Sequence, residues 1–195
     1  MEIRSAAIAD CSDLAILDNV AGHGLPLWLW HGAVLRGKAT DALEWGRDRY
    51  RDDSQPCNWR NARIADEGGE TAGMAVGYAL PSDVPAPSEA DPVLRPVLAL
   101  FARAAGTWLL DALAVFTRFR RRGTARLLLR DQIALAGQRP MSLVVADDNL
   151  RAIGLYESEA FKQTASEPFV PFGKGQATTQ WLLMQRQGQE ERHNG

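Results

Sequence analysis

The stretch that decides the fold is TWLLDALAVFTRFRRRGTARLLL, residues 107–129. Its first nine residues are apolar with two exceptions, Thr107 and Asp111, which is typical of a strand that lies at the centre of a sheet. Four of the six residues 117–122 are arginines, and three small residues, 123–125, separate them from the leucines of a helix. The sequence therefore predicts a strand, an arginine-rich turn and a helix in direct succession.

The turn has the parts of an anion site. The first backbone N–H groups of a helix lack internal partners and carry the positive end of its dipole. Small residues at Gly123 and Ala125 allow a phosphate to approach that backbone, and the arginines supply charge and paired donors. Neither Gly-Lys-Ser/Thr nor GxGxxG is present, so this is neither a Walker loop nor a dinucleotide fingerprint. Two alternatives remain: the turn binds nucleic acid, or it is only a solvated surface turn.

Composition narrows those alternatives. The chain has 195 residues, 46% of them apolar, with a net charge of −2, and its sequence pI is about 5.9. This length favours one domain, residues 1–186, followed by a polar tail, residues 187–195. A nucleic-acid binder is usually basic over a whole face, so we expect no nucleic-acid partner.

Cellular location and metal binding are also constrained. Two cysteines, Cys11 and Cys57, without a CxxC motif favour a reducing cytoplasm and packed thiols. The N-terminus lacks a signal peptide's apolar region, and no apolar run of about 18 residues exists, so no membrane association is expected. The three histidines, His23, His31 and His193, have no spacing suited to a metal site, so we expect no metal cofactor.

Hydrophobic periodicity predicts the remaining elements. Residues 2–6 alternate as a first strand, and helices are expected over 9–20, capped by Asp10 or Ser12, and over 40–53, capped by Thr40. Residues 21–32 are either a loop or the start of a further helix near Leu27. A hairpin around DEGGE, a Pro-rich insertion at 81–92 and a helix containing Pro96 precede the central strand.

The order of elements then defines the fold class. After the arginine turn, the chain is expected to continue as helix, strand, helix and one last strand. Residues 107–145 form a βαβ crossover, and the whole is α/β or α+β, a mixed sheet with helices on its faces.

Two stretches together resemble the GCN5-related N-acetyltransferase (GNAT) family. The first, LAVFTRFRRRGTARLLL, resembles the family's acetyl-CoA signature, Arg/Gln-x-x-Gly-x-Gly/Ala, with Arg120, Gly123 and Ala125 in the fixed places. The second, VVADDNLRAIGLYESEAF at 144–161, is similar to the family's second motif, with matches at Asn149, Ala152, Leu155, Tyr156, Ala160 and Phe161. Two positions depart from the pattern, since Thr117 replaces a common proline and Arg121 replaces a loop glycine.

The resemblance implies a GNAT fold with a mostly antiparallel central sheet, and acetyl transfer from acetyl-CoA to an amine by direct attack in a ternary complex. It also implies that Tyr156 is the general acid for the leaving thiolate, against the alternative that this tyrosine is a core residue. Asn149 is a cofactor contact or a plain helix N-cap. The residues that the resemblance assigns to the cofactor are Leu113, Ala114, Val115, Arg120, Arg121, Arg122, Gly123, Thr124, Ala125, Asn149 and Tyr156.

The general base and the acceptor site are less constrained. Asp111 lies on the central strand, where a carboxylate is costly to bury without a purpose, and it is either the base or a satisfied structural aspartate. Glu44 and His23 are weaker candidates. Trp28 and Trp30 could wall an acceptor pocket, although one of the two is expected to be core.

The acceptor is expected to be a small-molecule amine, with a protein N-terminus or lysine as the alternative. A second alternative is a non-catalytic module that senses acyl-CoA. A homodimer is possible.

Overall fold

A computed structural model describes residues 1–84 and 90–188. The middle of the Pro-rich insertion and residues 189–195 of the expected tail therefore lie outside the described residues. No helix among the described residues is both long and apolar enough to cross a membrane. The strands are β1 Glu2–Ser5, β2 Ala62–Glu67, β3 Glu70–Ala79, β4 Trp108–Val115, β5 Met141–Ala146, β6 Lys162–Pro168 and β7 Gln180–Arg186. The helices are α1 Cys11–Ala21, α2 Leu25–Leu35, α3 Ala42–Arg51, α4 Arg95–Arg103, α5 Thr124–Ala136 and α6 Leu150–Ser158.

The strands form one seven-stranded sheet in the order β1-β2-β3-β4-β5-β7-β6. Strands β4 and β5 pair in parallel, with Trp108 opposite Met141, and α5 connects them along the chain. The pairs β1–β2, β2–β3, β5–β7 and β6–β7 are antiparallel. The predicted fold class, a mixed and mostly antiparallel sheet flanked by helices, is confirmed, and so is the βαβ crossover.

The chain divides into two compact units, the first comprising Met1–Tyr78 and Leu110–Ala134. Its core contains the buried residues of α1 and α3 and the inward residues of β2, β3 and β4. The hairpin β2–β3 is continuous except for a shift in register between Ala65 and Asp66. Helices α2 and α3 pack closely, because a Cβ atom at Gly46 would lie only 2.5 Å from the ring of Trp30.

The second unit comprises Ala79–Leu109 and Leu135–Gly195. Strand β7 lies between β5 and β6, and α4 packs near β6. At the start of β4, the buried hydroxyls of Thr107 and Ser142 are 2.6 Å apart, and that of Thr107 also lies 2.7 Å from the carbonyl of Ala104. These bonds satisfy polar groups that would otherwise be costly inside the unit.

Three details of the sequence prediction are wrong or incomplete. Residues 25–35 form a full helix, so three helices precede the hairpin instead of two. Helix α3 is capped by Asp41, whose carboxylate accepts a 2.9 Å hydrogen bond from the N–H of Glu44, and not by Thr40. Asp10 precedes α1 as expected, but its carboxylate accepts from the N–H of Ala7 instead of from the helix.

The largest omission is β6. One strand was expected after α6, and the structure has two. Strand β6 has the sequence KQTASEP, lies at the edge of the sheet and is exposed or half-buried along its whole length. Such an edge strand needs no apolar alternation, so the periodicity on which the prediction relied is missing.

Candidate active site

The arginine turn has an unusual backbone. It follows β4 as a single helical turn, Thr117–Phe119, and leads into α5 at Thr124. Arg121 has a φ of 62° and Gly123 a φ of 84°, both in the left-handed region. Glycine adopts that region without strain, and other residues rarely do. The family resemblance places a glycine at position 121, and Arg121 keeps the left-handed backbone that a glycine would provide.

The backbone at the start of α5 is accessible. Gly123 is exposed, and a Cβ atom built on it would have no atom of the described residues within 4 Å apart from those of its chain neighbours. Helix α5 has 13 residues, so its dipole and first N–H groups are those of a full helix. Thr124 is buried, and its hydroxyl donates a 3.2 Å hydrogen bond to the carbonyl of Phe119. The Thr124 side chain therefore holds the turn, which leaves the backbone for a ligand.

Two of the four arginines pair with acids of the β2–β3 hairpin. Arg118 forms an ion pair with Glu70, and Arg122 lies 3.2 Å from Glu67. Both guanidinium groups also lie over the ring of Phe119, at 4.8 Å and 5.6 Å from its centroid. The hairpin acids thus fix the two outer arginines and offset their charge.

The two inner arginines, Arg120 and Arg121, differ from the outer pair in their contacts. Arg120 donates a 2.9 Å hydrogen bond from Nε to the carbonyl of Val115, at the end of β4. Among the described residues, no carboxylate forms an ion pair with Arg120 or Arg121, and both are exposed. The positive helix end therefore adds to two uncompensated guanidinium groups, which suits an anion such as a phosphate.

A cluster of titratable side chains surrounds Asp111 on β4. The hydroxyl of Tyr78 on β3 donates a 3.1 Å hydrogen bond to Oδ2 of Asp111. The thiol of Cys57 interacts with the same carboxylate, and its Sγ lies 3.2 Å from the hydroxyl of Tyr50 on α3. Tyr50 in turn interacts with Asp18 on α1. We call these five residues the Asp111 cluster.

Burial sets the protonation of the Asp111 cluster. It raises the pKa of Asp111 above the ordinary aspartate value, while the hydrogen bonds from Cys57 and Tyr78 act in the opposite direction. Burial and the charge of Asp111 raise the pKa of Asp18 to about 7. Burial also raises the pKa values of Tyr50, Cys57 and Tyr78 above their ordinary ranges, so these three stay protonated near neutral pH.

The other candidates for the base and the acceptor site lie elsewhere in the first unit. Glu44 is exposed and pairs with Arg47 at 3.1 Å, and His23 is exposed in the turn between α1 and α2. Trp30 is buried in the core, with 5% of its surface exposed, whereas Trp28 is half-buried. Trp30 is therefore the core member of the tryptophan pair, and Trp28 keeps the expectation of an acceptor contact.

In the second unit, Asn149 and Tyr156 belong to α6. The Oδ1 atom of Asn149 accepts a 3.3 Å hydrogen bond from the N–H of Ala152, so Asn149 is the N-cap of the helix. Tyr156 is buried and packs near Phe161, with ring centroids 6.0 Å apart. Burial raises the pKa of its phenol, so the hydroxyl carries a proton at neutral pH.

A separate cleft of about 440 Å³ lies beside the arginine turn. Its walls contain two carboxylates and one guanidinium group, and the lining residues are Asp13, Glu70, Thr71, Phe116, Thr117 and Arg118. Because Glu70 pairs with Arg118, the carboxylate of Asp13 leaves this cleft with an excess of negative charge. It is unsuited to a phosphate.

Sequence reasoning found Asp111 but missed the other four members of the Asp111 cluster. Asp18 interrupts the apolar face of α1, where it follows Leu14 by four residues, and this position was a usable signal. Tyr50 lies in α3, Cys57 in the loop after it and Tyr78 in β3, and no spacing along the chain links them.

The sequence and the fold both have known counterparts. The sequence model described as "Acetyltransferase (GNAT) family" matches residues 29–161. This match covers more than half of the chain, and the chain therefore belongs to the GNAT acetyltransferase family, whose members transfer acetyl groups from acetyl-CoA. No curated protein matches the chain at a significant level.

Solved structures share the fold. One described as an acetyltransferase superposes with a TM-score of 0.64 at 21% identity, covering 97% of this chain and 100% of its own. An N-acetyltransferase from Staphylococcus aureus Mu50 has a TM-score of 0.64 at 14% identity, covering 95% and 100%. The protein yncA from Salmonella typhimurium, solved with its cofactor acetyl-CoA, has a TM-score of 0.56 at 20% identity, covering 97% and 95%. The predicted family, fold and enzyme class are confirmed.

Proposed function

We propose that this acetyltransferase acetylates the primary amine of a small molecule, with Asp111 as the proton acceptor. The observation that carries the proposal is the half-buried carboxylate of Asp111 on β4, four residues before the strand ends at Val115. A carboxylate in that position, hydrogen-bonded by Tyr78, can hold an ammonium group and take its proton.

The raised pKa of Asp111 supports this role. An alkyl ammonium has an ordinary pKa of about 10.4, and it must lose a proton before the nitrogen can attack. A proton acceptor is most effective when its pKa lies near the working pH. Burial moves the pKa of Asp111 toward that range.

The arginine turn fits the co-substrate. Arg120, Arg121 and the backbone from Gly123 to Ala125 would hold its phosphates, since this is where uncompensated positive charge meets an accessible helix N-terminus. Acetyl-CoA, when bound, supplies an activated acetyl group and a thiolate leaving group. The phenol of Tyr156 stays protonated at neutral pH because burial raises its pKa, which suits a proton donor.

Several features support a small acceptor. Asp111 is half-buried, so an amine that reaches it must enter the unit instead of remaining on a broad surface. The half-buried Trp28 provides an aromatic face of the kind that cations contact. The acidic net charge supports the absence of a nucleic-acid partner, and the two free thiols suit a reducing cytoplasm. The proposal is compatible with a homodimer.

Thiol release in the presence of acetyl-CoA and a panel of small amines and peptides tests the proposal. We expect turnover with small amines, and a loss of about 10²–10⁴-fold in kcat/KM for Asp111→Asn, the range of general acid–base help. Asp48→Asn is a matched control, because Asp48 is an exposed aspartate of α3 that pairs with Arg47. Turnover confined to peptides would overturn the small-molecule assignment, and full activity of Asp111→Asn would overturn the role of Asp111.

A further inference from the structure

Two acids at the tip of the β2–β3 hairpin face each other at a cost in stability. Glu67 ends β2, Glu70 begins β3, and the register of the hairpin makes them direct cross-strand partners. Like charges in this arrangement destabilise a hairpin. The turn between them is nevertheless well formed, since Gly68 and Gly69 have the positive φ values, 67° and 87°, of a tight two-residue turn. The repulsion between the two acids therefore needs compensation from outside the hairpin.

The tip of the hairpin is tied to the rest of the first unit. The N–H of Gly69 donates a 2.7 Å hydrogen bond to Oδ1 of Asp66, and Oδ2 of Asp66 accepts a 3.1 Å hydrogen bond from Nε of Arg4 on β1. Arg4 also pairs with Asp10 at 2.7 Å. These contacts fix the position of the tip, and with it the position of the two acids.

The outer arginines of the turn compensate the two acids. Glu70 pairs with Arg118, Glu67 lies 3.2 Å from Arg122, and both guanidinium groups lie over the buried ring of Phe119. All four charged side chains are at least 40% exposed. Because exposed ion pairs contribute little to stability, the main effect of these two pairs is on the charge of the turn.

The two pairs halve the charge that the turn presents to a ligand. Residues 117–122 contain four arginines, and among the described residues the pairs leave Arg120 and Arg121 uncompensated beside the positive end of α5. A diphosphate that is esterified at both ends, as in CoA, has one negative charge on each phosphate, and two guanidinium groups match it. A nucleic acid differs, because it offers a long row of phosphates and each additional free arginine neutralises another of them.

We propose that Glu67 and Glu70 are specificity-determining residues of the arginine turn: by pairing with Arg118 and Arg122, they restrict the turn to a diphosphate and exclude polyanions such as nucleic acid. This inference rests on the placement of the CoA phosphates at the turn in the proposed function. It accounts for a turn with four arginines in six residues on a protein whose net charge is −2.

Binding of a labelled DNA duplex, followed by fluorescence anisotropy at several salt concentrations, tests the inference. Glu67→Gln/Glu70→Gln removes both negative charges, keeps the size of the side chains and relieves the repulsion inside the hairpin, so the variant should fold. Two more phosphates can then be neutralised. The slope of log affinity against log salt should therefore steepen by about 1.8, and the affinity at about 0.1 M salt should rise about tenfold or more. Each single variant should give about half the change in slope.

Calorimetric titration with CoA and with 3′-dephospho-CoA measures the cofactor side of the same variant. The second ligand has the diphosphate without the ribose phosphate, so it isolates the contacts of the diphosphate. We expect both affinities to stay within about fivefold of the wild type, the range of an exposed ion pair, because Arg120, Arg121 and the start of α5 already match the diphosphate.

Asp48→Asn/Asp53→Asn is the matched control. Both are exposed aspartates of the first unit, and they pair with arginines outside the turn, Arg47 and Arg60. The control removes two negative charges, as the hairpin variant does, and so raises the net charge from −2 to 0. It should bind the DNA duplex as the wild type does.

The outcomes separate this inference from the proposed function. Equal DNA affinity of the hairpin variant and the control would overturn the inference, because general charge and not the outer arginines would then act. A change in the affinity for either cofactor beyond about fivefold would also overturn it. A fall would make the acids positioning residues, and a rise would mean that the freed outer arginines contact the cofactor.

Unchanged CoA affinity in folded Gly123→Val would overturn the placement of the phosphates and this inference together. Full activity of Asp111→Asn would overturn the role of Asp111 alone, because neither DNA binding nor CoA binding depends on the proton acceptor.

Discussion

At the scale of single residues, the hydroxyl of Tyr156 has the most specific expected effect. Tyr156→Phe keeps the ring and its packing near Phe161, and it removes only the proton that the leaving thiolate would need. We expect normal folding, nearly unchanged acetyl-CoA binding and a loss of about 10²-fold in kcat, the lower end of general acid help. Steady-state kinetics and calorimetric titration with acetyl-CoA measure the two quantities.

An activated acyl donor is the control for Tyr156. Its leaving group needs no proton, so the loss caused by Tyr156→Phe should shrink with that donor. Equal loss with both donors would assign the hydroxyl to cofactor positioning, and no loss at all would make Tyr156 a core residue.

Single residues also show how far the sequence could predict the site. Asp111 could be identified because an acid inside an apolar strand is conspicuous in a local window. The rest of the Asp111 cluster could not, because α1, α3, the loop after α3, β3 and β4 each supply part of it and only their packing brings the parts together. The backbone of Arg121 was equally hidden, since its left-handed φ follows from the shape of the turn and not from its residue type.

At the scale of elements, the junction between β4 and α5 makes a prediction about Gly123. Gly123→Val should lower CoA affinity about tenfold or more. The valine side chain obstructs the exposed backbone, and a CoA phosphate then loses about one charge-assisted hydrogen bond. The substitution also strains a residue whose φ is 84°. Gly137→Val is the matched control, since Gly137 has a φ of 60°, no neighbour within 4 Å of its Cβ position and lies after the other end of α5.

Calorimetric CoA binding and urea unfolding of the two glycine variants distinguish strain from recognition. Both variants should lose stability, since valine in the left-handed region costs about 1–3 kcal/mol. Only Gly123→Val should lose affinity. A similar loss of affinity in both variants would show that strain alone acts, and unchanged affinity in folded Gly123→Val would remove the turn as the phosphate site.

Elements differ in how well the sequence predicts them, and the reason is burial. The central strand β4, the helix α5 and the strand β5 bury apolar residues with clear periodicity, and their positions were predicted well. Helix α2 is apolar nearly all round, so it lacks a polar face that would separate it from a loop or a strand. Strand β6 is polar and exposed, and its sequence has no alternation of apolar residues. It is a strand because it pairs with β7.

At the scale of the whole molecule, the Asp111 cluster should govern how stability changes with pH. Asp18 has a pKa of about 7 in the folded protein against an ordinary value of 3.8, so the folded state binds more protons between these values. Stability therefore falls as the pH rises from about 4 to about 7 and then levels off. Asp10 and Asp66 have lowered pKa values, so their contribution is lost only below about pH 4, outside this window.

Urea unfolding of the wild type and Asp18→Asn at several pH values measures this effect. An asparagine does not ionise, so the variant should gain stability relative to the wild type as the pH rises, by about 3 kcal/mol between pH 5 and pH 8, since the folded pKa lies about two units above pH 5 and one pKa unit corresponds to about 1.4 kcal/mol. Any loss of the contact with Tyr50 adds a constant offset at every pH, so the slope and not the offset carries the result. If the free energy of unfolding changed with pH in the same way for both proteins, Asp18 would have an ordinary pKa in the folded state, and this prediction would be wrong.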